Sequence, residues 1–470
     1  MIANRFLRYL LQLMVVSFVS PAAVCAAQPE QWFAPTQFGP QSPDPAQFLE
    51  LAKDPAAWSQ SRIQINVFKV YLAFVDKLPD DTLRTIFAYL NQSHLALALE
   101  SPMLKFDEQE HCGWGIEGYG PRLVFRHIAE RIRNLGGNLA YIAMDEPLFY
   151  GHDFVATDGR QACRRRIEDI AADVAENIAE FRTIFPNIIV GDIEPVGSLR
   201  EGDRKGELRH WFSAYKAATG LPIAFLHDDV LFDITLDAAQ MDAYQVTREA
   251  HIPMGFIYNG SPAAQSDRAW MQSAFTRAQK LHAFPTDVEH VVIQSWDLFP
   301  KKFLPETSDT ALTNLISYVN SRESYKKPPI DLICLVSPED QSHRIVTANL
   351  QEVQQLSDLG WLKICADLVF PEEDSRRQLV PVYRLEQPAT GDQLLTTSSN
   401  ERLSALQSGF QDVGILGFAY SAQDQAGHEL WRALNVKRNR HFYTFFPKEA
   451  KALPKDTFRL EGVVARFPIY

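Results

Sequence analysis

Two stretches of this chain set carboxyl groups just ahead of a proline: Ala140-Tyr-Ile-Ala-Met-Asp-Glu-Pro147 and Asn187-Ile-Ile-Val-Gly-Asp-Ile-Glu-Pro195. Each reads as an apolar strand ending in acids, so Asp145, Glu146, Asp192 and Glu194 stand at strand-loop junctions. A carboxylate in such a place costs desolvation unless it is paired, solvated or used. Carboxyl groups at neighbouring strand ends suit the breaking of a glycosidic bond, one giving a proton and the other acting as nucleophile or base. Glu146 is the expected proton donor, its pKa raised by a pocket. Glu194 is the expected nucleophile or base, with Asp192 as its tuning partner. Side chains alternate along a strand, so Asp192 and Glu194 share a face, whereas Asp145 and Glu146 cannot both point into one mouth.

Three later apolar runs also end in polar groups: His227-Asp228-Asp229, Tyr258-Asn259 and Gln294-Ser-Trp-Asp297. Asp228 joins the catalytic candidates. Trp296, Asn259, Tyr258, Asp297 and His227 are expected to bind substrate, Trp296 by stacking on a sugar face. The bland alternatives are an acid that merely ends a strand and a His227 that is hydrogen-bonded in the core. No metal site is expected, because no HxH or HExxH spacing occurs. A metal-assisted hydrolase using His227 and Asp228 therefore ranks last.

The elements that would position these groups alternate apolar runs with segments of helical period from Gln31 to Val319, the pattern of parallel strands with crossover helices. Strands are expected at Gln31–Phe38, Ile63–Val75, Leu95–Ser101, Leu139–Asp145, Ile188–Ile193, Pro222–His227, Ile252–Tyr258 and Val288–Trp296. Helices are expected between them, from Pro45–Ser59 to Asp309–Asn320. Eight such units match a closed (β/α)8 TIM barrel, whose sites lie at the strand C-terminal ends. Lys69 and Glu100 are expected to pair inside it, and Trp32 and Trp58 to be core. An open doubly wound sheet would bring a glycine-rich phosphate loop after an early strand, and none is present. No cofactor is expected. Gly113, Gly115, Gly118 and Gly120 cluster after the third strand and read as a loop.

A chain of 470 residues should form two or three domains, and its formal charge of −12 disfavours nucleic acid or an anionic membrane as partner. Residues 1–27 read as a bacterial export signal: Arg5 and Arg8, an apolar run from Tyr9 to Val19, then Pro21 and small residues to Ala27. That run is too short to span a bilayer, so a secreted or periplasmic monomer without a transmembrane segment is expected. Cys112, Cys163, Cys334 and Cys365 then remain, an even number in an exported chain. The favoured pairings are Cys112 with Cys163 and Cys334 with Cys365, each inside one domain.

The charged, proline-ending stretch Arg322–Pro329 marks a boundary between the barrel (28–329) and a second domain (330–470). Downstream, three copies of one unit recur at a spacing of about 50 residues, each reading strand, strand, short helix, strand. None could bury its apolar face alone, so a pseudo-threefold, β-trefoil-like binding domain is expected.

Pro381-Val-Tyr-Arg-Leu385 with Thr390-Gly-Asp392, and His441-Phe-Tyr-Thr444 with Glu461-Gly-Val463, carry a family resemblance. They resemble a repeat domain of unknown function at the C-terminus of secreted bacterial hydrolases. In the first copy Cys334 stands for the repeat's arginine and Cys365 for its glycine. The first half resembles a glycoside-hydrolase barrel. Asp145-Glu146-Pro147 is similar to the Asn-Glu-Pro that supplies the acid/base on the fourth strand of the largest retaining clan. That clan's nucleophile is a seventh-strand glutamate, where this chain has Asn259. Asp192-Ile-Glu194 resembles the end of the chitinase motif but falls on the fifth strand. The resemblance implies an exported glycosidase acting on a cell-wall or extracellular polysaccharide. The competing expectation is a non-catalytic carbohydrate-binding protein on a degenerate barrel.

Overall fold

A computed structural model describes residues 29–35, 46–121, 124–200, 202–230, 238–284, 288–321, 329–374 and 377–468. The expected signal segment lies outside them, as do residues 322–328 of the expected boundary.

Eight strands form a closed parallel barrel: β1 (Glu30–Ala34), β2 (Val67–Tyr71), β3 (Ala96–Ser101), β4 (Leu139–Asp145), β5 (Ile189–Glu194), β6 (Leu226–Asp228), β7 (Met254–Tyr258) and β8 (His290–Gln294). β1 pairs with β8 on one side and β2 on the other, which closes the ring. Inward side chains such as Trp32, Val67, Ala143 and Val292, with Phe225 just ahead of β6, fill the lower interior as a packed core. The outward faces pack against α1 (Ala46–Lys53), α2 (Asp80–Gln92), α3 (Val124–Asn134), α4 (Ile167–Arg182), α5 (Arg204–Thr219), α6 (Ala238–Ala250), α7 (Asp267–Ala283) and α8 (Leu312–Val319).

Several strands are shorter than expected, β2 and β6 for identifiable reasons. β2 stops at Tyr71 and the chain turns directly into a helix over Leu72–Lys77. The spacing of Tyr71, Phe74, Val75 and Leu78, all buried, is helical. β6 begins at Leu226, four residues after Pro222, which lacks a ladder donor.

The C-terminal part is three antiparallel sheets of one design. The first holds β9 (Ile330–Val336), β10 (Arg344–Thr347), α9 (Leu350–Asp358) and β11 (Leu362–Val369). The second holds β12 (Val380–Gln387), β13 (Asp392–Thr396), α10 (Ser399–Gln407) and β14 (Gln411–Ala419). The third holds β15 (His428–Asn435), β16 (Arg440–Thr444), α11 (Pro447–Ala452) and β17 (Phe458–Phe467). The first strand of each is central, and residues of all three, such as Leu332, Val382 and Leu430, share one apolar cluster.

Arginine–glutamate clasps tie each sheet to the next. The third residue of each helix is a glutamate, and each is held by an arginine of another sheet. Arg384 donates to Glu352 at 2.6 Å, Arg432 to Glu401 at 2.6 Å and Arg344 to Glu449 at 2.9 Å. Arg384 and Arg432 come from central strands, where they face Gly414 and Gly462. The corresponding pair in the first sheet is Cys334 and Cys365, joined as a disulfide. Arg344, on the neighbouring strand, supplies the missing cation. Cys112 and Cys163 form the second disulfide, so both expected pairings are present.

The sheets are seated on the barrel by buried contacts. Arg377, fully buried, donates to Gln279 of α7 at 2.9 Å and to the Tyr318 hydroxyl of α8 at 3.1 Å. Tyr420 reaches Gln272 at 3.2 Å, and Arg268 pairs with Asp424 at 3.0 Å. α7 is accordingly buried almost all round, its polar residues Gln272, Thr276 and Gln279 included.

Candidate active site

A cavity of about 310 Å³ opens at the C-terminal ends of the barrel strands, where sites of this architecture lie. Its polar floor is Glu100, Gln294 and Tyr71, with Lys69 beneath them. The Lys69 ammonium is hydrogen-bonded to the Glu100 carboxylate and, at 2.6 Å, to the Gln294 amide oxygen; the Gln294 nitrogen donates to the Tyr71 hydroxyl at 2.5 Å. The expected Lys69–Glu100 pair is therefore present, as the base of the cavity.

Above it stand Glu117, Asp145, Glu146 and Asp229. Asp145 ends β4 on the inward face. Strand alternation would send Glu146 outward, yet it also lines the cavity. The backbone at Glu146 turns to φ 50°, leaves the pleat and swings the side chain back over the mouth. The expectation that only one of the two points inward is corrected on that ground. Asp229, one residue past β6, is hydrogen-bonded to Glu146. Burial, then the nearby charges of Asp229, Glu117 and Asp145, push Glu146 well above the usual carboxylate range. Asp145 rises likewise through burial and its acidic neighbours, with Lys69 pulling the other way. Asp229 is pushed up to about 7 by burial, moderated by Arg277 and by the hydrogen bond from Glu146.

Asp192, Glu194 and Asp228 do not reach the cavity. Asp192 and Glu194 do share a face, but it is the outward one; Ile193 between them points in. The Asp192 carboxyl accepts from the indole of Trp211 on α5 at 2.6 Å. Glu194 accepts from the backbone N–H groups of Leu148 and Phe149 at 2.6 and 3.0 Å, bracing the turn that follows Glu146. Asp228 also points outward, to the Val196 amide at 3.3 Å and Gln240 at 3.2 Å. The structure therefore does not bring these three expected catalytic residues to the cavity with Glu146 and Asp145.

Among the expected binding residues, Trp296 and Asn259 line the cavity. Three do not. His227 lies in the lower barrel, 2.9 Å from the His290 ring and stacked on Phe225, and burial holds its pKa well below the usual histidine value. Tyr258 faces outward against the helix layer. Asp297 is turned away, accepting from Trp270 at 3.0 Å.

Glu117, Tyr71, Tyr150 and Gln294 complete the walls and were not anticipated as site residues. Glu117 arrives on the glycine-rich loop after β3, which Cys112–Cys163 anchors, and accepts from Tyr150 at 2.8 Å. Gly118 in that loop, at φ 79°, lies so close to β4 that a Cβ would meet the Asp145 carbonyl at 2.9 Å. A glycine cluster beside acidic strand ends was the available signal for close approach. Outside the cavity, His152, Asp153 and Glu207 bring potential metal-ligand atoms within 4.8 Å of one another. Arg200 already pairs with both acids there, at 3.0 and 3.3 Å.

Residues 332–467 match the model of a domain of unknown function, DUF5648. No curated protein matches the chain. Solved barrels resemble it at low identity. A mutant of xylanase A from P. fluorescens subsp. cellulosa with xylopentaose is 11% identical, covering 63% of this chain and 99% of its own, at a TM-score of 0.36. A GH113 β-1,4-mannanase is 14% identical over 63% and 98%, at 0.37. A truncated 3-deoxy-D-arabino-heptulosonate 7-phosphate synthase from Thermotoga maritima is 10% identical over 63% and 85%, at 0.35. Glycosidases and a synthase are thus matched alike, and the likeness assigns no activity. Among the described residues no helix is long and apolar enough to cross a membrane.

Proposed function

We propose that the protein is an exported hydrolase that cleaves a cell-wall or extracellular polysaccharide by carboxyl acid/base chemistry, with the C-terminal sheets holding glycan or wall. The observation that carries this reading is the acid-lined cavity at the barrel mouth, whose walls hold Glu146 and Asp229 together. The two environments differ in the way acid and base roles require: burial and neighbouring acids push Glu146 well above the usual carboxylate range, while Asp229, with Arg277 pulling the other way, is pushed up to about 7. Glu146 gives its proton to the glycosidic oxygen as the bond from the anomeric carbon breaks. Asp229, ionised, offsets the positive charge growing on the sugar; water then adds its hydroxyl to the anomeric carbon and gives its proton to the Glu146 carboxylate, restoring the acid. Trp296 offers a face for ring stacking.

Glu146→Gln and Asp229→Asn, screened with the wild type on a polysaccharide panel, test this. Each should lose activity by about 10²- to 10⁴-fold, the usual scale for acid/base catalysis. Asn259, standing where the retaining clan has its glutamate, favours a second reading: a carbohydrate-binding barrel without catalysis. A wild type that binds glycans and releases no reducing ends would make that the better account.

A further inference from the structure

We propose that the cavity takes a glycan bearing free, protonated amino groups, that is, a de-N-acetylated amino-sugar polymer; this rests on the cavity being the substrate site. Among the described residues that line it there are five carboxyl groups and no Lys, Arg or His. Lys69 beneath the floor is committed to Glu100 and Gln294. Arg277 is bonded to the Val230 carbonyl and reaches Asp229 only through its field. Among the described residues, Glu117, Asp145 and Glu146 have no cation beside them on the cavity walls.

The walls are also rich in acceptors, the donors beyond Tyr71, Tyr150 and Gln294 being the side chains of Ser198, Asn259 and Trp296. The Tyr150 hydroxyl is spent on Glu117, and the Gln294 amide on Tyr71 and Glu100. Asn259 is 3% exposed, and its Oδ1 has no hydrogen-bond partner. An ammonium group supplies three donors and one positive charge. An acetamido group removes the charge and brings a carbonyl that asks for a donor. A bound metal ion fits less well: among the described residues, three ligating groups come within 4.8 Å of one another at His152, Asp153 and Glu207, not on the cavity walls. Trp296 with Ile193 and Ile257 gives the apolar surface that a sugar ring needs beside its amine.

The test is calorimetric binding of hexamers of glucosamine and of galactosamine, each with free amines and fully N-acetylated, beside cellohexaose, to the full chain. One free-amine hexamer should bind at least tenfold tighter than its acetylated form and than cellohexaose. Glu117→Gln should erode that preference at least threefold, while Asp81→Asn, an equal loss of charge on α2, should not. Equal or tighter binding of acetylated or neutral hexamers overturns the proposal, as does binding of neither free-amine hexamer or an Asp81→Asn effect matching that of Glu117→Gln. Product analysis separates this from the hydrolase reading. Cleavage of neutral glycans alone sinks the amino-sugar inference and spares the hydrolase. Tight free-amine binding without cleavage does the reverse.

Discussion

The barrel mouth and the C-terminal sheets use the same side chain, a half-buried or buried carboxyl, to opposite ends. At the mouth, acids crowd one another and burial lifts them; Glu146, Asp145 and Asp229 all sit above the ordinary range. In the sheets, burial also pushes Glu352, Glu401 and Glu449 upward, but hydrogen bonds from arginine and threonine outweigh it and hold all three below the range. One region retains an electrostatic cost that only a ligand or a proton relieves. The other has removed that cost by pairing, and gains a fixed geometry between sheets. Departures from local charge balance mark function better than charged residues as such.

The strongest way to break this comparison is at Arg377, the cation with no exposure that joins the two regions. Arg377→Met strands its hydrogen-bonding partners, and unfolding in urea should show a loss of about 3–5 kcal/mol. A loss under 1 kcal/mol would mean the sheets are not stabilised by that contact.

Opposite signs are expected at one clasp and one cavity acid. Arg432→Met leaves Glu401 and Glu461 facing each other without their cation and should cost about 2 kcal/mol, discounted for the partial exposure of both. Asp229→Asn should instead stabilise the fold by about 2 kcal/mol at pH 8 and by little at pH 4, because the charge it removes is penalised only when ionised. Equal signs for the two would erase the distinction.

The pH dependence should divide the molecule in the same way. Asp229 and Asp228 are raised from 3.8 to about 7, so the folded barrel holds protons that the unfolded chain gives up. Their contribution is complete below pH 4 and is lost as pH rises towards and through 7. Glu352, Glu401 and Glu449 are lowered; their contribution is present above the ordinary glutamate value and lost as pH falls through the folded values. Hydrogen exchange followed from pH 4 to 8 should therefore show β4–β6 opening more readily at the upper end and α9–α11 at the lower. The smallest effect belongs to the exposed Lys437–Asp456 pair, where Lys437→Ala should leave the melting temperature unchanged within error.

Much of the barrel was legible because its strands are short apolar runs separated by helical periods. In and out were not. Parallel strands covered on both faces carry apolar residues on both, so nothing in Ile-Val-Gly-Asp-Ile-Glu told which parity faces the axis. Parity grouped Asp192 with Glu194 correctly and could not say that Ile193 points inward. Glu146 escaped the parity rule through a positive φ, a conformation glutamate rarely adopts and composition does not announce. Asp228 and Asp229 are adjacent acids, and which one reaches the cavity follows from the parity of His227, which faces the barrel interior. The seat of the sheets on α7 was illegible for a different reason. Gln272, Thr276 and Gln279 are polar residues of a kind common on solvent faces, but they are buried, with Gln272 bonded to Tyr420 and Gln279 to Arg377.

That seat separates this arrangement from modules strung on loose linkers. A tethered module behaves as a leash, raising the local concentration of what it grips over a sphere of positions. Here Arg377, Tyr420 and Asp424 lock the sheets to α7 and α8. Under the proposed function the pair would act as a ruler: a glycan held by the sheets would meet the barrel at one distance and one angle, so length and stiffness of the polymer would become part of what is recognised.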